Sequence, residues 1–176
     1  AALAVSAFAV VAYSAPGLRF KERPFLDSVT SSVHFVGPAV VGLLLAGAEL
    51  DGRLALLLAA FLLWGMAAHA FGAIQDIIPD REAGIASTAT VIGARATARL
   101  ALLLWAAAGL IVLGTRWPGP LAAVVVLPYL LNCAPSWSVT DESSGSTNRA
   151  WRRFIALNYL SGFFVTVLLI IEWNRA

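Results

Sequence analysis

The run Leu54–Ile74 crosses its whole length without a charged residue, and His69 is its only strongly polar side chain. A helix needs about 20 apolar residues to cross a hydrocarbon core of roughly 30 Å. Similar runs lie at Phe25–Ala48, Ala96–Thr115 and Phe154–Ile171, with a shorter one at Leu121–Ala134. Ala1–Ala15 is apolar but too short to span. Backbone groups facing lipid must be satisfied within the protein, which leaves helices or a closed barrel. Continuous Leu/Ala-rich runs without two-residue alternation exclude the barrel. The expected fold is all-α: a polytopic transmembrane helix bundle of about five full helices plus one truncated N-terminal helix.

Composition agrees. Hydrophobic residues make up 60% of the 176 residues and charged residues 12%, against roughly 25% charged in a soluble domain. Mean hydropathy is +0.82. A net charge of +2 leaves no electrostatic footprint for nucleic acid. One cysteine, Cys133, excludes an internal disulfide and a cysteine metal cluster. Ala1–Val11 lacks the basic start of a signal peptide. A chain that opens inside an apolar stretch is expected to continue upstream of Ala1.

The connections sort by charge. Arg19, Lys21 and Arg23 lie in the first, Pro16–Pro24. Arg81 and Arg95 lie in the third, Gln75–Arg95, with Arg99 just beyond. Arg149, Arg152 and Arg153 lie in the fifth, Pro135–Arg153. The opposite side holds only Arg53, Arg116 and Arg175. The positive-inside rule puts the odd-numbered connections in the cytoplasm. Trp117 and Trp173 then mark the outer interface and Trp137 and Trp151 the inner one, as an aromatic belt without chemistry. The Ser-rich stretch Thr140–Thr147 reads as a flexible loop.

The segment Gln75–Gly93, QDIIPDREAGIASTATVIG, concentrates the polar chemistry. Asp76 and Asp80 are spaced to share one helix face. Carboxylates that close repel unless a cation lies between them. Mg²⁺ is commonly held by one or two carboxylates, with waters and substrate phosphates completing its shell. The pair therefore suggests a metal–diphosphate site, with Arg81 placed to contact phosphate. The competing reading is a solvated loop whose aspartates cap a helix. Pro79 disfavours helix at Ile78, so a bent helix end or a short separate helix is expected. Ser87, Thr88 and Thr90 are placed to cap the next helix.

Further polar residues lie within the spans. Asp27, Thr30, Ser31 and His34 fall on one helical face, and ionisable residues in spans usually face the bundle interior. They form either a cavity wall, with Asp27 near the metal or accepting a proton, or a helix–helix hydrogen-bonding seam. His69, seven residues before Asp76, either lines the cavity and assists deprotonation or is a satisfied interhelical histidine. Asn158, Ser161 and Gly162 favour close packing. Trp64 and Phe71 suit core or lipid contact better than cation stabilisation.

The run FGAIQDIIPDREAGIASTATVIGARAT resembles the second aspartate-rich motif of the UbiA-type intramembrane prenyltransferases, and most closely their lycopene elongase branch. The stretch YSAPGLRFKERPFLDSVTSSVHFVGPA is similar to the Tyr-Ser-x-Pro segment after that family's fourth helix. The resemblance implies a nine-helix bundle around a central cavity. Two Asp-rich motifs there hold Mg²⁺ and an isoprenyl diphosphate on the cytoplasmic side. Asp76 and Asp80 would be the second motif's metal-binding and catalytic aspartates, and Tyr13 the diphosphate-binding tyrosine. Where some members carry a lysine after that tyrosine, this chain has Gly17, and Arg19 and Lys21 are the nearest substitutes.

The first motif is absent from this sequence. The resemblance thus implies a C-terminal portion, residues 1–176, lacking the first three helices. The implied reaction transfers a prenyl group, with dimethylallyl diphosphate as donor and a carotenoid such as lycopene as acceptor, inside the bilayer of the cell membrane. A quinone precursor, tetrapyrrole or glycerolipid is the alternative acceptor. A cation-binding transporter or scaffold is the alternative outside enzymes. Nothing in the chain spaces a Ser-His-Asp triad or a zinc cluster.

Overall fold

The computed structural model describes residues 1–174, except for the side chain of Trp173. The proposed belt position of Trp173 and the charge at Arg175 therefore lie outside the described residues. Seven helices follow one another: α1 (Ala2–Ser14), α2 (Leu26–Leu45), α3 (Gly52–Ala73), α4 (Ile77–Glu82), α5 (Thr88–Leu113), α6 (Val126–Cys133) and α7 (Asn148–Trp173). Short 3-10 turns lie at Phe20–Glu22, Ile74–Asp76, Gly119–Val125, Ala134–Ser138 and Ser144–Thr147. No strand occurs among the described residues. Five stretches are long and apolar enough to cross a membrane: Leu26–Leu45, Gly52–Glu82, Thr88–Leu113, Gly119–Ser138 and Ser144–Glu172. Ala2–Ser14 is a shorter apolar helix. The expected helical bundle, with five full helices and one short one, is what the chain forms.

The long polar connection Gln75–Arg95 is mostly helix. The chain turns through Ile74–Asp76, runs on as α4, and leaves only residues 83–87 outside helix. Pro79 does not stop helix at Ile78 because it lies in the first turn of α4, where its missing N–H has no intrahelical partner to lose. Gly84 ends α4 at a φ of 70°. The Gly84 N–H reaches the Arg81 carbonyl at 3.1 Å and the Ile85 N–H the Asp80 carbonyl at 2.8 Å. That pair of bonds is a Schellman closure, and glycine adopts its left-handed position without strain. Ser87 then opens α5 with a reciprocal capping box to Thr90, as the sequence suggests.

Packing runs α1 on α2, α2 on α3, and α3 on α5, with α7 against α6 and the turn before it. Association between helices in lipid depends on close van der Waals approach, which small residues permit. Gly65 of α3 faces Ser32 of α2 so closely that a Cβ there would clash with the serine side chain. The Ser32 hydroxyl crosses to the Leu62 carbonyl at 2.7 Å. Gly72 lies under the ring of Trp151. Alanines at 67, 94, 98 and 101 line the α3–α5 core with Phe71, Ile74 and Trp105.

Aromatic rings fill the space between α3, α5, α6 and α7. Trp105 stacks on Tyr129 at 5.8 Å, and Trp64 on Phe154 at 5.9 Å. Trp64 and Phe71 are thus core residues. Trp151 stacks on Phe154 at 4.8 Å and covers Gly72. Tyr129 donates to the Asn158 side-chain oxygen at 2.9 Å. Cys133 is buried.

One end of the bundle gathers the connections after α1, α4 and α6. At the other end Arg53 of α3 pairs with Glu172 of α7 at 2.5 Å. Gly65→Ala is expected to cost about 1–3 kcal/mol by overpacking the α2–α3 contact, read as a lowered unfolding midpoint in detergent. Gly42→Ala, at a position with open space, should leave the midpoint within experimental scatter.

Candidate active site

Asp76 and Asp80 stand where the longest apolar span breaks. The turn Ile74–Asp76 lets Ile74 and Ile77 bury fully, and this anchors α4 against the core. Asp76 is exposed and Asp80 half-buried. Neither carboxylate accepts a hydrogen bond or forms an ion pair among the described residues. Asp80 lies within electrostatic range of both Asp76 and Glu22. The Phe20–Glu22 turn therefore shares this end of the molecule with α4. There Glu22 is paired with Arg19, and Arg19 and the Glu22 carboxylate hold each other charged, which keeps Glu22 below the usual carboxylate range. Lys21 is half-buried, and Arg23 braces its own loop by donating to the carbonyls of Leu18 and Gly17.

A second group lies deeper. Asp27, in the first turn of α2, is fully buried. Its carboxylate accepts from the Thr88 N–H at 2.7 Å, the Thr88 hydroxyl at 2.6 Å and the Ser28 N–H at 2.7 Å. His69 Nε2 lies 3.9 Å from the same carboxylate. Tyr13 lies beside Ser31 and Asp27, and its ring meets His34 edge-on at 5.0 Å. His34 Nδ1 is 2.7 Å from the Thr30 carbonyl of its own helix. Asp27 thus ties the start of α2 to the start of α5, with His69 of α3 alongside. Buried carboxylates persist where hydrogen bonds to the charged form offset the lost hydration.

Arg81 goes elsewhere. Gly93 adopts a φ of 80° inside α5 and breaks the helix there. The break separates the Thr90 carbonyl from the Ala94 N–H, which would otherwise bond each other. Arg81 donates to the Thr90 carbonyl from Nε at 3.1 Å and Nη2 at 2.7 Å. Asp141 accepts from the Ala94 N–H at 2.7 Å. Arg81 Nη1 and Asp141 Oδ2 then pair at 2.7 Å. One ion pair replaces the missing rung and joins α4, α5 and the loop after α6. The Ser-rich stretch, expected as a flexible loop, is part of this joint. It folds on its own Thr140–Ser143 hydrogen bonds and buries Ser144 and Thr147. Gln75, next to Asp76, is tied to Asn148 at 2.5 Å.

The structure brings Asp76 and Asp80 together with the Arg19–Glu22 turn. It gathers Tyr13, Asp27, His34 and His69 into one deeper cluster, and it commits Arg81 to Thr90 and Asp141. Glu22 and Asp141 escaped sequence reasoning, and Thr88 entered it only as a capping residue, not as the partner of Asp27. Only the acidic character of Glu22 within a basic loop hinted at any of them, since Asp141 meets Arg81 across sixty residues. Among the described residues no three His, Cys, Asp or Glu side chains cluster as a metal cage. Two unengaged oxygen-donor side chains suit Mg²⁺, which takes few protein ligands and completes its shell with water and phosphate.

The model of the UbiA prenyltransferase family matches residues 1–160. The C(50) beta-cyclic carotenoids biosynthesis protein LbtBC of Dietzia sp. is 54% identical over 96% of the chain and 39% of its own length. The lycopene elongase/hydratase of Corynebacterium glutamicum is 45% identical over 96% of the chain and 58% of its own length. A lycopene elongase/hydratase of Haloarcula japonica is 42% identical over 61% of the chain and 35% of its own length. The chain thus spans about two-fifths to three-fifths of the first two relatives. No solved structure matches it.

The Asp141 carboxyl is held below its ordinary value, around 3.8, first by the Ala94 N–H and then by Arg81. A depressed carboxyl adds stability that is present above the ordinary value and lost as pH falls through the folded one. Asp141→Asn should therefore lower the unfolding midpoint near neutral pH, by up to about 1 kcal/mol for a partly exposed pair. The gap to the unsubstituted protein should shrink progressively as pH falls below that ordinary value.

Proposed function

The chain belongs to the UbiA prenyltransferase family, and we propose that the full-length protein transfers a prenyl group from an allylic diphosphate, with dimethylallyl diphosphate as donor, to a carotenoid acceptor such as lycopene. The observation that carries this is the contrast between two acidic sites. Asp27 spends its carboxylate on Thr88 and Ser28, while Asp76 and Asp80 keep theirs unengaged where the span breaks. The names of the relatives from Dietzia and Corynebacterium glutamicum support the carotenoid acceptor over a quinone precursor or glycerolipid.

Ionising an allylic diphosphate breaks its C–O bond and leaves the electron pair on pyrophosphate. Asp76 and Asp80 would hold Mg²⁺, which when bound neutralises that departing charge. Arg19, Lys21 and Tyr13 lie on or just before the facing loop and would orient the diphosphate. The apolar walls keep water from the allylic cation while an acceptor double bond attacks it. His69, beside the Asp27 carboxylate, would take the proton lost from the acceptor.

The basic connections favour a cytoplasmic position for this end, and the bundle would lie in the cell membrane. The chain would be the C-terminal portion of the nine-helix enzyme, the other Asp-rich motif lying in the part of the relatives' length that it does not span.

In the full-length protein, Asp76→Asn and Asp80→Asn should each lower prenyl transfer at least a hundredfold with unchanged melting, and EDTA should abolish it until Mg²⁺ is restored. Near-normal turnover of Asp76→Asn with excess Mg²⁺ would remove the role assigned to that carboxylate.

A further inference from the structure

The loop between α1 and α2 carries Arg19 and Lys21, and its backbone is strained at the point where it enters α2. Three of its residues adopt positive φ: Gly17 at 85°, Arg19 at 42° and Phe25 at 67°. Glycine takes such angles freely, whereas a bulky side chain does not. Phe25 combines its φ with a ψ of −40°, close to the strained form of the γ-turn. Backbone of this kind persists only where surrounding contacts over-determine it, and it concentrates at functional sites.

The contact that holds Phe25 comes from Thr88. The Phe25 N–H donates to Thr88 Oγ1 at 2.6 Å. The same hydroxyl donates to Asp27 Oδ1 at 2.6 Å, and the Thr88 N–H donates to Asp27 Oδ2 at 2.7 Å. Giving its proton to the carboxylate leaves the hydroxyl oxygen free to accept from Phe25. Thr88 and Asp27 are buried, so water does not replace either bond. Among the described residues, this is the one hydrogen bond from residues 15–25 to anything beyond α1 and α2. The others close within the loop or onto the two helices it joins. Arg23 stiffens the loop from inside by donating to the carbonyls of Leu18 and Gly17, so a hold at Phe25 carries to Arg19 and Lys21. Thr88 itself opens α5 just beyond the end of α4, which bears Asp80. One hydroxyl thus couples the loop that offers cations to the segment that offers carboxylates.

We propose that Thr88 is a positioning residue: its hydroxyl holds Phe25 in the strained backbone and so keeps Arg19 and Lys21 opposite Asp80 to receive the diphosphate. The position needs a donor and an acceptor on one buried atom. Serine supplies both and valine neither. The inference rests on the proposed prenyl transfer, for which it names a determinant of donor binding.

The test joins donor kinetics to hydrogen exchange in the full-length protein in detergent, with Mg²⁺ in excess and Asp76→Asn measured alongside. T88V keeps the backbone N–H that holds Asp27. It should raise KM for the allylic diphosphate about fivefold or more, the loss of one net hydrogen bond, with kcat changed less than about twofold. T88S should restore KM. A merely structural threonine would change the amount of folded enzyme and leave KM alone. Exchange should quicken in residues 18–25 of T88V and stay unchanged in α3. F25G/T88V, in which glycine takes the angle without strain, guards against a folding defect. Its KM should rise less over F25G than that of T88V rises over the unsubstituted protein, and an equal rise would contradict the strain argument. Unchanged KM in T88V, with Asp76→Asn inactive, would overturn the proposal and leave the reaction standing. Active Asp76→Asn would instead remove the metal role assigned to that residue, and unchanged exchange at residues 18–25 of T88V would overturn the hold of Thr88 in either case.

Discussion

A backbone that breaks beside the hydrocarbon layer must find new partners for the groups it frees, and the joint at Gly93 is where this bundle does so. The interrupted rung of α5 leaves a carbonyl at Thr90 and an N–H at Ala94. Arg81 and Asp141 take one each and pair with one another. Both clamp residues are partly exposed, so the pair adds up to about 1 kcal/mol while giving the freed groups their partners. Through it the short helix α4 is tied to α5 and to the loop before α7. A six-residue helix has little stability of its own. Its capped end, its clamp and the burial of Ile74 and Ile77 hold Asp76 and Asp80 in position.

The same end of the molecule separates acidic groups by what they have left to offer. Asp27 lies at the junction of three helices and directs its oxygens to the first residue of α5. Asp141 closes the broken rung. Glu22 is matched by Arg19. Asp76 and Asp80 alone among these retain unengaged carboxylates close to one another. Mutual repulsion makes that pair costly without a cation and receptive to one. The surrounding elements thus use three acidic residues for architecture and leave two unengaged.

What the sequence made legible was local. Apolar runs set the spans, Ser87 and Thr90 set a helix start, and the spacing of Asp76 and Asp80 kept them close, one in the turn before α4 and one on it. Boundaries misled where a local rule met a tertiary context. Pro79 was tolerated because it fell in a first turn, and the segment around it forms a short separate helix, one of the two forms expected. The joints between distant segments left no local signal. Nothing near Arg81 announces Asp141, nothing near Asp27 announces Thr88, and a serine-rich stretch reads as loose until its buried hydroxyls are seen. Nor does anything near Trp151 announce that it covers Gly72.

The most direct measurement is a structure of the full-length protein with Mg²⁺ and a non-ionisable thio analogue of the allylic diphosphate. A metal ion should lie within about 2.0–2.1 Å of oxygens from Asp76 and Asp80, bridging them to the diphosphate, with the Arg81–Asp141 clamp still closed. A diphosphate bound elsewhere, with both carboxylates turned to solvent and no ion between them, would contradict the account.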